Sequence, residues 1–322
     1  MSRLFSSGLW VFAQSEEKYG GYVGSWTVLD QIKAAASVPG LKGLELIAPM
    51  HVSTGNVKEV KSWMNDAGLT TVAVNPYLWT EPQWRYGALS APDPKVRAQA
   101  VDTAKKSIDI GRELGCGKMD LWPGEDGWDY MFQANYGQMW DLTLESIRQI
   151  AEYDPDYLIG VEYKISEPRM NQHISTAAKA ALLGAELGLA NVGAYLDFGH
   201  ALISRENPAE SVALLSRTKR LFGVHVNDNY GLEDDDLTVG SVHLLTTLEF
   251  LLALEDYGYK DWISLDIVPR RESAAAACAQ CFSVMEKIYG MIGRLDRAAL
   301  AEAQASMDAI ETQRIVYEIF NS

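Results

Sequence analysis

The sequence predicts a (β/α)8 barrel, the TIM barrel, followed by a C-terminal helical extension. Three observations carry that expectation. Eight short apolar runs recur along the chain, amphipathic helical patterns separate most of them, and no G-x-G-x-x-G follows an early strand. Strand–helix alternation calls for a parallel sheet, and eight repeats favour closing it into a barrel. The missing glycine fingerprint disfavours an open, doubly wound sheet.

The strands are expected at "FSSGLWVFA" (5–13), "GLELIA" (43–48), "TTVAV" (70–74), "KMDLW" (118–122), "YLIGVEY" (157–163), "NVGAYLD" (191–197), "LFGVHV" (221–226) and "WISLDI" (262–267). Helical patterns such as "KEVKSWMNDAG", "KVRAQAVDTAKKSIDIGRELG" and "ISTAAKAALLGAELG" lie between them. Several end in Gly, the usual stop for a helix. The barrel is assigned residues 1–290 and the helical tail 291–322. In the tail, Leu300, Ala303, Met307 and Ile310 form an apolar stripe at three- to four-residue spacing. Such a face packs on its own barrel or on a second subunit, and a homodimer or homotetramer is expected.

Composition narrows the function. The 322 residues are 48% hydrophobic and 22% charged, with a net charge of −15. That charge disfavours nucleic acid, whose phosphates require clustered Lys and Arg, and suits cations or neutral solutes. No apolar stretch approaches the roughly 18–20 residues that span a bilayer, so no membrane partner is expected. The N-terminal "LFSSGLWVFA" reads as a buried strand rather than a secretory signal. Cys116, Cys278 and Cys281 are an odd, sparse set that fits a reducing, cytoplasmic compartment. Cys278 and Cys281 lie in an alanine-rich helical stretch and read as small packed residues.

Reactive groups of such barrels sit at the C-terminal ends of strands. Here the last four strands end in Glu162 with Lys164, Asp197 with His200, His225, and Asp266. Singly, each has a plain alternative: a strand-end carboxylate caps the next helix, and a lone histidine packs in a core. Four in succession converge on one mouth, within reach of a single ion. Glu162, Asp197, His225 and Asp266 offer three oxygens and one nitrogen, a set suited to Mg²⁺, Mn²⁺ or Co²⁺. The loop "NDNYGLEDDDLTVG" follows the seventh strand and concentrates charge in Glu233, Asp234, Asp235 and Asp236. Alone it reads as a solvated acidic loop. Over this mouth, Asp234 and Asp236 with His200 are expected to hold a second divalent ion, which would absorb the excess charge.

These residues resemble a known superfamily. "VEYKISEPR" is similar to the Glu-x-Lys-x-x-Glu-Pro stretch of xylose isomerases, and "LDFGH" to their acid-x-x-His. "HVNDNYGLEDDDLTVGS" resembles the L-rhamnose isomerase loop of the same superfamily, with one residue more between His225 and Asp234. "LWPGEDGWDYMFQANY" looks like the tryptophan-bearing segment after the fourth strand. The resemblance runs from about residue 5 to residue 290. It implies an aldose–ketose isomerase acting on an open-chain monosaccharide. One ion would be bound by Glu162, Asp197, His225 and Asp266, and a second by His200, Asp234 and Asp236, sharing Asp197 or Glu162. It further implies that a water or hydroxide acidified at the second site, where Asp234 is placed as ligand and catalytic group, moves the hydroxyl proton, and that hydride then shifts between C1 and C2, with Lys164 polarising the carbonyl oxygen. Trp79, Trp122 and Trp128 would stack on the sugar and keep it dry, although barrel packing explains a tryptophan equally well. His51, after the second strand, is a candidate acid–base group for ring opening, or simply a loop histidine. No Gly-rich phosphate cradle appears, so a free sugar is expected.

The nearest rival is a ketose epimerase on the same fold, with Glu162 and Asp266 exchanging a proton around a single metal. The aspartate-rich loop and Lys164 favour the isomerase. An endonuclease of the superfamily would want a basic groove and more than five histidines. A non-catalytic sugar-binding barrel would not need the full ligand set.

Overall fold

The structure, a computed structural model, describes residues 3–13 and 26–320. Eight strands run parallel in one sheet: β1 (Phe5–Gly8), β2 (Leu41–Ala48), β3 (Thr70–Pro76), β4 (Lys118–Leu121), β5 (Leu158–Glu162), β6 (Val192–Asp197), β7 (Leu221–Val226) and β8 (Ile263–Leu265). Their order is β3-β2-β1-β8-β7-β6-β5-β4, and the sheet curls until β3 and β4 lie side by side. This is the expected TIM barrel. Its seam is closed by a side chain rather than by a backbone ladder among the described residues. Asn75 Oδ1 accepts the backbone N–H of Asp120 in β4 at 2.9 Å, while its Nδ2 donates to Glu45 in β2 at 3.3 Å.

Helices α1 (Val28–Ala36), α2 (Val57–Asp66), α3 (Pro94–Leu114), α4 (Tyr136–Ala151), α5 (Ala177–Leu187), α6 (Phe198–Ile203), α7 (Pro208–Arg217), α8 (Leu244–Asp256) and α9 (Ala274–Ile292) follow the strands. Their ends are written locally. Thr27 and Asp30 form a capping box at α1, satisfying two otherwise unpaired N–H groups. Asp93 caps α3 ahead of Pro94, and Gly115 at φ +89° stops it in the left-handed region. Two further segments, Gly127–Trp128 and Asn171–Gln172, pair as a short antiparallel ribbon between the loops after β4 and β5.

The first strand is shorter than its apolar run. After Gly8 the chain turns into a 3₁₀ helix, Leu9–Phe12, because a buried helical turn needs apolar residues as much as a strand does. The turn brings Trp10 to the barrel mouth. Below the mouth, a Cβ at Gly223 would meet the Tyr195 ring at 2.1 Å, so glycine there leaves room for a tyrosine inside the barrel. At the opposite end Lys118 is buried beside Asp261, 2.8 Å away.

The tail forms two helices, α10 (Arg297–Ala305) and α11 (Ala309–Glu318), packed on one another. The single stripe expected there divides at Met307, whose φ is +55°. Leu300 and Ala303 are buried, Met307 and Ile310 are exposed, and Ile315 and Ile319 take over burial after the turn. Cys278 and Cys281 are free and buried on α9. Among the described residues no helix is long and apolar enough to cross a membrane.

The seam makes a testable demand. Asn75→Ala leaves a buried N–H of Asp120 without its acceptor and should cost about 1–3 kcal/mol in urea unfolding. An unchanged unfolding midpoint would mean that β3 and β4 are held by packing alone.

Candidate functional site

The strand ends meet in a cavity of about 490 Å³ at the C-terminal mouth, lined by Trp10, Trp79, Trp122, Asp120, Glu162 and Lys164 among others. Ligand-type atoms of Glu162, Asp197, His225 and Asp266 all lie within 4.8 Å of one another. Those of Asp197, His200 and Asp234 form a second such group that shares Asp197. Ligands about 2.0–2.6 Å from one ion lie at most about 5 Å apart, and these groups meet that limit. The oxygen-rich donor set, largely buried and convergent, therefore fits divalent cations at both positions. Asp236 lines the cavity and accepts from Asn227 Nδ2 at 3.2 Å, beside the second group rather than within it.

Each group is aimed by a neighbour. Asp197 ends β6 and caps α6: its Oδ1 accepts His200 N–H at 2.7 Å, and its Oδ2 accepts Asn227 Nδ2 at 3.0 Å. His200 Nδ1 lies 3.0 Å from the Tyr163 carbonyl, a contact it can make only as a donor. Its Nε2 is then directed at Asp234 Oδ2, 2.9 Å away. Lys164 Nζ sits 2.8 Å from the same Asp234 oxygen, 3.0 Å from Glu167 and 5.6 Å from the Trp122 ring centroid. Trp10 Nε1 donates to Asp266 Oδ1 at 2.6 Å.

The aspartate loop is pinched at its base. Asp228 and Leu237 exchange backbone hydrogen bonds, and the buried Asp228 carboxylate accepts from Val242 N, His243 N and His243 Nδ1. Along the loop, Asp234 and Asp236 turn to the cavity, while Asp235 accepts the backbone N–H of Tyr230. Asp236 adopts φ +51°, which aspartate tolerates better than most residues.

So many carboxylates in one place disturb one another. Burial, followed by the charge of Asp234, pushes Asp236 well above the ordinary carboxylate range. Burial likewise lifts Asp197 to about 7 and, with the charge of Glu162, lifts Asp120 well above its usual value. Burial opposes a charge on His200, yet Asp197 and Asp234 raise it to about 9. Protons and imidazolium charge thus gather where a cation would relieve the same field.

Two residues escaped the sequence reading. Glu45 of β2 is fully buried, accepts Tyr195 O–H at 2.7 Å and lies 3.3 Å from His225 Nε2. Asp120 of β4 is buried within hydrogen-bonding reach of Glu162. Their signal was a lone acid inside an apolar run, "GLELIA" and "KMDLW", where a carboxylate is costly unless it has a partner.

Two candidates stand away from the cavity. Trp128 belongs to the ribbon and packs on Tyr136 with ring centroids 4.8 Å apart. His51 is buried and does not line the cavity; its Nδ1 accepts the N–H of Ile47 at 2.9 Å. Trp79 and Trp122 do line the cavity, their centroids 5.0 Å apart.

Burial lowers His51 from 6.5 to about 4. The unfolded chain therefore binds the proton more readily between those values, and stability falls as pH drops through that window. His51→Gln should flatten the loss between pH 7 and pH 5 by about 2 kcal/mol in urea unfolding. An unaltered slope would place the charged ring in a solvated position.

Comparison with known proteins follows the same lines. The family profile described as a xylose isomerase-like TIM barrel matches residues 32–283. The xylose isomerase of Thermus thermophilus is 28% identical over 210 residues, 63% of this chain and 54% of that protein. A probable sugar isomerase of Rhizobium meliloti is 25% identical over 312 residues, 92% of this chain and 71% of the relative. The chain thus spans about half the length of the xylose isomerases it matches. Among solved structures, a D-tagatose 3-epimerase-like protein superposes with a TM-score of 0.69 at 19% identity, over 90% of this chain and 98% of that one. A D-allulose 3-epimerase from Methylomonas sp. gives 0.67 at 17%, with the same coverage. At such identities the likeness shows the fold.

Proposed function

The chain belongs to the xylose isomerase-like TIM-barrel family, and from that premise we propose that it is a divalent-metal-dependent isomerase interconverting an aldose and a ketose. The observation that carries this reading is the second acid–imidazole group, Asp197, His200 and Asp234, joined to Lys164 beside the first group of Glu162, Asp197, His225 and Asp266. Those residues would hold two ions, Mn²⁺, Mg²⁺ or Co²⁺, with Asp236 adjoining the second. Bound there, such ions supply Lewis acidity toward two adjacent oxygens of an open-chain sugar.

The chain's own groups account for the rest. Lys164 is held charged: burial opposes its ammonium, but Asp234 and Glu167 more than compensate. In this reading it donates to the sugar carbonyl oxygen and stabilises charge developing there. Trp10, Trp79 and Trp122 wall the cavity with apolar surface. A hydrogen moved between neighbouring carbons inside such a wall has little chance to exchange with water. A ketose epimerase would instead return a solvent-derived proton, with Glu162 and Asp266 as the exchanging pair.

Metal-replete protein incubated in D₂O with free aldoses and ketoses, followed by NMR, separates the two. Aldose–ketose conversion with little deuterium at carbon is expected. Epimerised ketose carrying deuterium at the reacting carbon would transfer the assignment to Glu162 and Asp266. In the same assay Lys164→Met should lower turnover by about 10²–10³, the usual cost of losing one donor to developing negative charge, with metal content retained. Loss of metal with turnover per bound ion unchanged would make Lys164 an ion-pair residue only.

A further inference from the structure

Resting on the reading of His225 as a metal ligand, we propose that Glu45 is the positioning residue that sets His225 for that role. The two lie on different strands, 180 positions apart, and meet inside the barrel. His225 turns Nδ1 toward the acid group, 3.2 Å from Glu162 and 3.6 Å from Asp266. It turns Nε2 the other way, 3.3 Å from Glu45 Oε2. An imidazole that donates from one nitrogen to a carboxylate presents the lone pair of the other, with the ring fixed in orientation and made more basic. Glu45 thereby chooses Nδ1 as the nitrogen offered to a cation.

Glu45 is itself held for this task. Its Oε1 accepts Tyr195 O–H at 2.7 Å, and its Oε2 accepts Asn75 Nδ2 at 3.3 Å. Both oxygens are engaged by protein donors, and the residue is fully buried. That engagement suits an orienting carboxylate; Glu45, Asp120 and His225 are also close enough to form a third acid–histidine group, so a ligand role for Glu45 is among the outcomes of the test. His200 provides an internal comparison. There a backbone carbonyl, Tyr163, engages Nδ1 and leaves Nε2 for Asp234. For His225 the same device uses a carboxylate, a stronger acceptor, anchored across the barrel by Tyr195 and by the Asn75 that also closes the seam.

The test is Co²⁺ titration of chelator-stripped protein, followed by calorimetry and by the visible absorption of the bound ion. Glu45→Ala should weaken Co²⁺ binding about 10–100-fold and alter the absorption bands, because the histidine ligand loses its orientation. Glu45→Gln should recover part of the affinity, since its amide oxygen still accepts the imidazole N–H. Tyr195→Phe, which removes only the hydroxyl that holds Glu45, should weaken binding less than Glu45→Ala does. Wild-type affinity and spectrum in the Ala variant would overturn the proposal. If that variant does not fold, wild-type behaviour in both the Gln and Phe variants would overturn it instead. A drop in Co²⁺ stoichiometry with the remaining affinity intact would make Glu45 a ligand rather than an orienting group. A wild-type protein that takes up no Co²⁺ would remove the metal reading itself, and this inference with it.

Discussion

Mutual repulsion among buried and half-buried carboxylates is the constraint around which the barrel mouth is organised. Glu45, Asp120, Glu162, Asp197, Asp234, Asp236 and Asp266 approach one another, with Lys164, His200 and His225 as the positive groups paired to them. Removing ionised carboxylates from water is expensive, and setting them side by side adds to the cost. The displaced acidities record it: Asp197 rises to about 7 while Glu45, countering its own burial through His225, falls to about 2. A site built this way gains most from a cation. The stability it forgoes is the counterpart of its capacity to bind one.

The fold supplies what local sequence cannot. Parallel strands bring residues hundreds of positions apart to one rim, and the short helix after β6 turns Asp197 and His200 inward together. The loop after β7 would splay outward under its own charge, but Asp228 ties its two ends and Asn229 donates to the Gly199 carbonyl. Tryptophans from three different loops then cover the polar floor with apolar wall. The result is a cavity with charged groups on its floor and aromatic rings on its wall.

Much of this was legible in the linear pattern. The strand–helix rhythm placed the barrel, and Glu162, Asp197, His225 and Asp266 stood out because strand ends in a closed barrel have one destination. Position next to a strand end, however, does not say which way a side chain points. His51 and Trp128 follow β2 and β4 closely, yet one folds back onto the N–H of Ile47 in its own strand and the other joins a ribbon, and neither lines the cavity. The tail shows the same limit: Met307 and Ile310 continue an apolar spacing that a turn at φ +55° interrupts.

By itself the sequence determined the order of elements, the helix caps and the inventory of acids and histidines near the mouth, because these depend on periodicity and on contacts a few residues long. Tertiary structure alone decided the pairings. That Glu45 faces His225, that Asn75 closes the seam on Asp120, and that Asp235 turns away while its two neighbours face the cavity all follow from strand register and barrel curvature. A hydrogen bond depends on distances of a few tenths of an ångström between atoms whose separation along the chain carries no information about their separation in space.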